Sequence, residues 1–298
     1  MGKGFTLKNA EGRDLADMFH EAFQRKKLNV KVTAILNDTV GTLVSHAYTN
    51  PACRIGLIFA TGINAAYPEK VPNITKLDQD IRNKYTACTE MLINTEIDIF
   101  GTEAYLPLTK YDLALDLSHN QPKFQLYEKM LSGAYMGELT RLIAMDFIEA
   151  GVLFGGQIPK GFDQPWSFPT KHMSTLESDT TKEKEASQKI LSEFPITNKP
   201  TLDDIAILTR ICYNVSARAA SLVAVAIISL VEQQNLLNQD QIVVGINGST
   251  FEFYPHMDER VRSALNEWYG KEIARKIVLE VASEGGSVGG ALIAMLCK

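Results

Sequence analysis

Beyond residue 200 the chain alternates helical and strand periodicities, and that alternation of helices with short β-branched strands restricts it to an α/β architecture. Thr201-Leu202-Asp203-Asp204 caps a helical pattern running to about Leu237. Residues 241–246 then predict a strand, Asn247-Gly248-Ser249 a turn and residues 255–269 a helix. Residues 276–282 predict another strand, 284–290 a glycine-rich loop, and 291–297 a final helix. Upstream, residues 29–36 (NVKVTAIL) read as a strand ending at Asn37-Asp38, and residues 54–59 as a strand running into Ala60-Thr61-Gly62. Residues 105–117 alternate enough for further strand. Residues 124–150 carry the spacing of a long amphipathic helix broken near Gly133 or Gly137. Residues 153–200, rich in Pro, Ser, Thr, Lys and Glu, read as a connector with a short helix around 182–193.

With 298 residues, 45% of them hydrophobic and 22% charged, the chain is long enough to bury a sizeable core, about two ordinary domains by length. A formal net charge of −5 leaves no basic surplus to neutralise phosphates, so no nucleic-acid partner is expected. The apolar stretch 219–231 is shorter than the ~20 residues of a membrane span and contains two serines, so it reads as a buried helix and no membrane partner is expected. Cys53, Cys88, Cys212 and Cys297 stand far apart without a C-x-x-C pair, as expected of reduced thiols in the cytoplasm. The start, Met1-Gly2-Lys3-Gly4-Phe5-Thr6, matches the myristoylation pattern, read here as chance.

In open α/β sheets ligands bind beyond the carboxyl ends of strands. Asn37-Asp38-Thr39, Ala60-Thr61-Gly62-Ile63-Asn64 and Asn247-Gly248-Ser249 stand at such ends, with the 284–290 loop as a fourth. Each alone is ordinary: a strand-terminal Asp is usually a turn-former or a helix cap, and a Gly-Ser pair usually a turn. There is no G-x-x-x-x-G-K-[ST], G-x-S-x-G or H-E-x-x-H motif, and the five histidines are scattered, so no metal-ligand set is expected.

Together these segments resemble the hexokinase family. Leu36-Asn37-Asp38-Thr39-Val40-Gly41-Thr42 is similar to the stretch around its catalytic aspartate, and residues 58–67 (IFATGINAAY) to its phosphate-binding hairpin I-x-G-T-G-x-N-A. Asn94-Thr95-Glu96 resembles the N-x-E sugar stretch, and Tyr127-Glu128-Lys129-Met130 with Ser132-Gly133 resembles the helix that supplies another sugar carboxylate. Ser216-Ala217-Arg218, Gly248-Ser249 and residues 283–290 resemble the adenosine side, and Lys3-Gly4-Phe5 the T-K-G-F motif. The resemblance implies an actin-like ATPase (ribonuclease H-like) fold. Residues 1–37 would be a remnant of the small lobe, and 38–298 the large lobe. It implies phosphorylation of a hexose at its 6-hydroxyl by ATP with Mg2+, with an N-acetylglucosamine or hexosamine kinase, or an impaired sugar-binding regulator, as alternatives. Asp38 would be the base. Lys3, Asn37, Asn64, Glu96 and Glu128 would hold the sugar, and Thr61, Gly62, Ser216, Gly248 and Ser249 the nucleotide.

The chain also departs from the family pattern. No D-[LV]-G-G-[ST]-N phosphate loop precedes the sugar motifs, so the first third of a family domain is expected to be missing and the chain alone to have little activity. Exposed apolar surface and poor stability would follow. Ala60 replaces the first glycine of G-T-G, Gly2 a threonine, and Asn247 an aspartate. Val288 stands where glycine is usual, which would be strained at positive φ.

Overall fold

The computed structural model describes residues 9–282 and 285–297. Its strands are β1 (Cys53–Phe59), β2 (Ile63–Lys70), β3 (Glu90–Asn94), β4 (Ile242–Asn247) and β5 (Ile277–Val281). They form one sheet in the order β3-β2-β1-β4-β5. β1, β2 and β3 run as an antiparallel meander, while β4 and β5 add to β1 in parallel. This mixed sheet is the one expected of an actin-like ATPase fold.

The helices are α1 (Leu15–Arg25), α2 (Asp38–Thr49), α3 (Gln79–Lys84), α4 (Lys110–Ser118), α5 (Leu126–Leu131), α6 (Met136–Glu149) and α7 (Thr170–Ser178). They continue with α8 (Glu185–Ser192), α9 (Leu202–Gln233), α10 (Ser249–Phe253), α11 (Met257–Tyr269), α12 (Lys271–Ala274) and α13 (Gly285–Leu296). Side chains alternate across the sheet. Ile55, Leu57 and Phe59 of β1 and Ile242, Val244 and Ile246 of β4 join the main core with α5, α6, α7, α9 and α11. Each such fully buried side chain stabilises the fold by about 1.5–3 kcal/mol. α9, held at its start by a Thr201–Asp204 capping box, is long and apolar enough to cross a membrane; here its apolar residues form the centre of this core.

The opposite face is made for close approach. Gly56 and Gly245 are paired across β1 and β4, and α2 lies directly over them. A Cβ on Gly56 would stand 2.6 Å from Leu43 N and from Thr39 O; one on Gly245 would meet the His46 side chain at 2.9 Å. α13 then crosses α2 through glycines, with a Cβ on Gly289 falling 2.2 Å from Gly41 O. The sheet and α13 thereby clamp α2, whose first residue is Asp38.

Several sequence expectations are corrected. Among the described residues, 29–36 are assigned to no strand, so none ends at Asp38. Asp38 instead opens α2 after the Asn37 cap, because β-branched alternation makes a chain extended while only a neighbouring strand makes it sheet. Residues 105–117 contain α4, started by a Thr109–Asp112 capping box that outweighed the alternation. The break expected near Gly133 or Gly137 is present, by contrast: α5 and α6 are separated at Ser132–Tyr135 around Gly133. The stretch 153–200 is no loose connector: Phe162, Phe168 and Met173 are fully buried and α7 and α8 pack within it. The glycine loop of 284–290 is helical from Gly285, and Val288 has no positive φ. Gly285 and Gly289 serve contact with α2, while Gly286 and Gly290 face open space.

Candidate active site

Asn37 caps α2 by accepting from Thr39 N at 2.8 Å, and the Thr39 hydroxyl also donates to Asn37 Oδ1. Asn64 on β2 donates to Asn37 Oδ1 at 3.5 Å, to Asn94 Oδ1 at 2.8 Å and to Glu96 Oε1 at 3.4 Å. Asn94 Nδ2 donates in turn to Glu96 Oε1 at 2.6 Å. Glu96 follows β3 in the left-handed conformation, φ 48°. Asn37, Asn64 and Glu96, distant in sequence, thus meet beside Asp38, whose residue is exposed and whose Oδ1 accepts from Thr39 N at 2.9 Å.

The β1–β2 hairpin links this network to a second carboxylate. Glu128 on α5 accepts from Ile63 N at 3.0 Å, and a Cβ on Gly62 would lie 2.5 Å from Glu128 Oε2. Gln125, 8% exposed, donates to Glu128 Oε1 at 3.2 Å and to the fully buried Asp98 at 2.7 Å. Burial, and after it the charge of Glu128, pushes the Tyr135 hydroxyl above its ordinary value.

On the far side of the hairpin a cleft of about 290 Å³ is lined by Thr61, Gly133, Ala134, Thr170, Lys171, Ser174, Ser249, Thr250, Phe253 and Tyr254. Its walls are tied together: Gly133 N donates to Ala60 O at 2.9 Å, Thr250 Oγ1 to the same oxygen at 2.8 Å, and Thr170 Oγ1 to Gly133 O at 2.7 Å. Gly248 is held at φ 140° where a Cβ would be 2.4 Å from Phe59 O, so only glycine fits between β1 and β4. Ala60, in place of the family glycine, is not among the residues of positive φ, and Asn247 donates to Ala282 O at 2.7 Å, which a carboxylate there could not do while ionised.

The structure thus brings Asn37, Asn64 and Glu96 together beside Asp38 and joins Glu128 to them through the hairpin at Ile63, with Thr61 and Ser249 lining the cleft and Gly62 and Gly248 shaping the backbone between. Lys3 and residues 283–284 lie outside the described residues. Ser216 is displaced from its expected role. It is fully buried in α9, donates to Glu177 at 2.8 Å and receives Arg260 at 2.6 Å, so its hydroxyl braces α7, α9 and α11 and does not face the cleft. Sequence reasoning missed Thr170, Lys171 and Ser174, which were placed in the connector, and Gln125. The aromatic spacing of Phe162, Phe168 and Phe194, whose rings pack at 5.2–6.3 Å, was the signal that this stretch belongs to the core.

Two family models, each described as hexokinase, match residues 54–296 and 1–48. The chain belongs to the hexokinase family. It is 35% identical to hexokinase-1 of Schizosaccharomyces pombe over 99% of this chain and 60% of that protein. Against glucokinase of Aspergillus niger the identity is 34%, over 99% of this chain and 63% of that protein. Among solved structures, hexokinase of Schistosoma mansoni complexed with glucose superposes with a TM-score of 0.82 at 30% identity, covering all of this chain and 65% of that one. The chain therefore spans about three fifths of the length of the curated relatives it matches.

Proposed function

We propose that this chain carries the sugar and phosphate sites of a hexokinase that transfers the γ-phosphoryl group of Mg-ATP to the 6-hydroxyl of a hexose. One observation carries the reading: the Asn37–Asn64–Glu96 network beside Asp38, and Glu128 bonded to Ile63 N, share one hairpin with the cleft lined by Thr61 and Ser249. Carboxylates and amides clustered in this way suit vicinal hydroxyls, each of which donates and accepts.

In this reading Asn37, Asn64, Glu96 and Glu128 hold the ring hydroxyls. Exposed Asp38 takes the proton of the 6-hydroxyl as its oxygen attacks the γ-phosphorus. Thr61 and Ser249 offer hydroxyls to phosphate oxygens, and Thr170, Lys171 and Ser174 extend the cleft for the rest of the nucleotide. Mg2+ belongs to the nucleotide, held by phosphates and water, and neutralises charge as the phosphoryl group moves. The cytosol, expected from the cysteine pattern, is the compartment that suits such an enzyme.

The test is calorimetric binding of glucose, mannose, fructose, glucosamine and N-acetylglucosamine by this chain, and ATP-dependent phosphorylation of the same sugars by the chain joined to the upstream third of a family domain, each with its Asp38→Ala variant. Binding of a hexose, with turnover reduced by about 10²–10⁴-fold in the variant, is the expected result. Absence of binding to every sugar, or turnover untouched by the substitution, would refute it.

A further inference from the structure

Asn94, given no role above, is hydrogen-bonded to Thr39, Asn64 and Glu96. Its backbone is fixed on both sides: it pairs with Ala66 at the end of β3, and Thr95 donates to Ala65 O through N at 2.9 Å and through Oγ1 at 2.8 Å. Its side chain is polarised along one direction. Oδ1 accepts from Asn64 Nδ2 at 2.8 Å and from Thr39 Oγ1 at 3.5 Å, while Nδ2 donates to Glu96 Oε1 at 2.6 Å. Thr39 and Asn64 both donate to Asn37 as well, so one amide connects the start of α2, the strand β2 and the turn after β3.

We propose that Asn94 is a positioning residue: it sets the orientation of the Asn64 amide and the place of the Glu96 carboxylate against a bound hexose. The proposal rests on the hexose reading above. The physical case is that Glu96 occupies a left-handed turn and its carboxylate can rotate about several bonds. A short hydrogen bond from a side chain anchored in the sheet removes that freedom before a sugar arrives, which lowers the entropy lost on binding. Oδ1 does the same for Asn64, whose own Oδ1 accepts from Ala65 N at 2.8 Å. The amide of Asn64 is therefore held at both ends and cannot flip to offer a sugar the wrong atom.

Aspartate at position 94 separates this role from a merely structural one. It keeps the shape of asparagine and the acceptor toward Asn64 and Thr39. It loses the donor and sets one carboxylate against that of Glu96. Among the described residues, Asp38 on α2, Asp98 in the turn after Glu96 and Glu128 on α5 are further acids carried by the elements of this network. Two carboxylates in contact there cannot both stay ionised at little cost, so one takes up a proton at higher pH than usual. A proton between them restores a hydrogen bond, so glucose affinity lost at high pH should return as the pH falls.

The experiment measures glucose binding by calorimetry at pH 5.5 and pH 8 for the whole chain, N94D and N94A, with a 13C NMR titration of side-chain carboxyls in the ligand-free proteins. N94D should bind glucose on the order of tenfold more weakly than the unsubstituted chain at pH 8. That deficit should shrink about threefold or more at pH 5.5, while N94A stays weak at both values. The titration of N94D should show a carboxyl with a raised midpoint that the unsubstituted protein lacks. Unchanged glucose affinity in N94A, or an N94D deficit that ignores pH together with no raised carboxyl, would overturn the proposal. Should the unsubstituted chain bind no glucose, the hexose reading fails. The NMR titration then still decides whether Asn94 governs Glu96.

Discussion

Gly62 and Glu128 are in mutual contact across the hairpin: a Cβ on the glycine would lie 2.5 Å from Oε2 of the carboxylate. The turn of β1–β2 and the carboxylate of α5 are thereby a single unit, because Ile63 N also donates to Glu128 at 3.0 Å. A change in the turn at Gly62 is therefore felt at the carboxylate of α5.

Gly62→Ala tests that coupling. The atom met by the new methyl is the end of a flexible side chain, so the fold survives and Glu128 is pushed from Ile63 N. Glucose affinity is expected to fall about tenfold, with the melting temperature lowered by no more than a few degrees. Calorimetry and a thermal melt of the same sample check both halves. A large loss of stability with affinity retained would contradict the coupling.

Within α13, adjacent glycines should respond in opposite directions. A Cβ on Gly289 meets Gly41 O at 2.2 Å and Gly41 Cα at 2.6 Å, both backbone, so Gly289→Ala forces α13 away from α2. Overpacking of this kind costs about 1–3 kcal/mol. Gly290→Ala points into open space and replaces the poorest ordinary helix former by the best, for a gain of up to about 1 kcal/mol. Denaturant midpoints of the two variants decide it. Equal shifts would mean that the helix crossing is not held by glycine contact.

Asp179 supplies an acid-sensitive latch beside α8. Burial alone would raise its carboxyl, but hydrogen bonds from the Thr181 and Ser187 hydroxyls and backbones bring it down to about 2. The folded value lies below the ordinary 3.8, so its contribution is complete above that value and is lost as the pH falls through about 2. Unfolding midpoints of the unsubstituted chain and Asp179→Asn should converge as the pH drops from 5 toward 2. A constant gap over that range would refute the assignment.

Lys129 and Asp116 form a pair at 2.6 Å with side chains only 3% and 5% exposed. Lys129 also donates to Gln121 O, and Asp116 accepts from Lys123 N, so the pair fixes the loop that leads into α5. Lys129→Met leaves the aspartate buried without its cation and should cost about 3–5 kcal/mol. Adding Asp116→Asn should recover part of that loss in denaturant titrations. No recovery would show that the uncompensated charge of Asp116 is not the source of the loss.

Features carried by neighbours in sequence were the legible ones. β1, β4, β5 and α9 show in local apolar periodicity and caps, and the segments around Asp38, Gly62, Glu96 and Glu128 carry the family resemblance in contiguous letters. β2 and β3 were not anticipated as strands: β3 is a half-exposed segment whose sheet identity comes from pairing with β2. Glycines in 284–290 suggested a loop for the same reason, since only contact with α2 explains Gly285 and Gly289 inside a helix.

By itself the sequence determined which groups of chemistry are present: an aspartate after a capping asparagine, amides and carboxylates in segments that resemble the family's sugar motifs, and hydroxyls beside glycine turns. Local letters suffice there because a side chain's chemistry travels with the residue. Tertiary structure alone decided which of them act together. Ser216 went into a buried brace, Thr170 and Lys171 came to the nucleotide cleft, and Asn94 became the link between Asn64 and Glu96. Those outcomes depend on distances between segments far apart in the chain, and such distances are set by the packing of α2 on paired glycines and of α9 in the core.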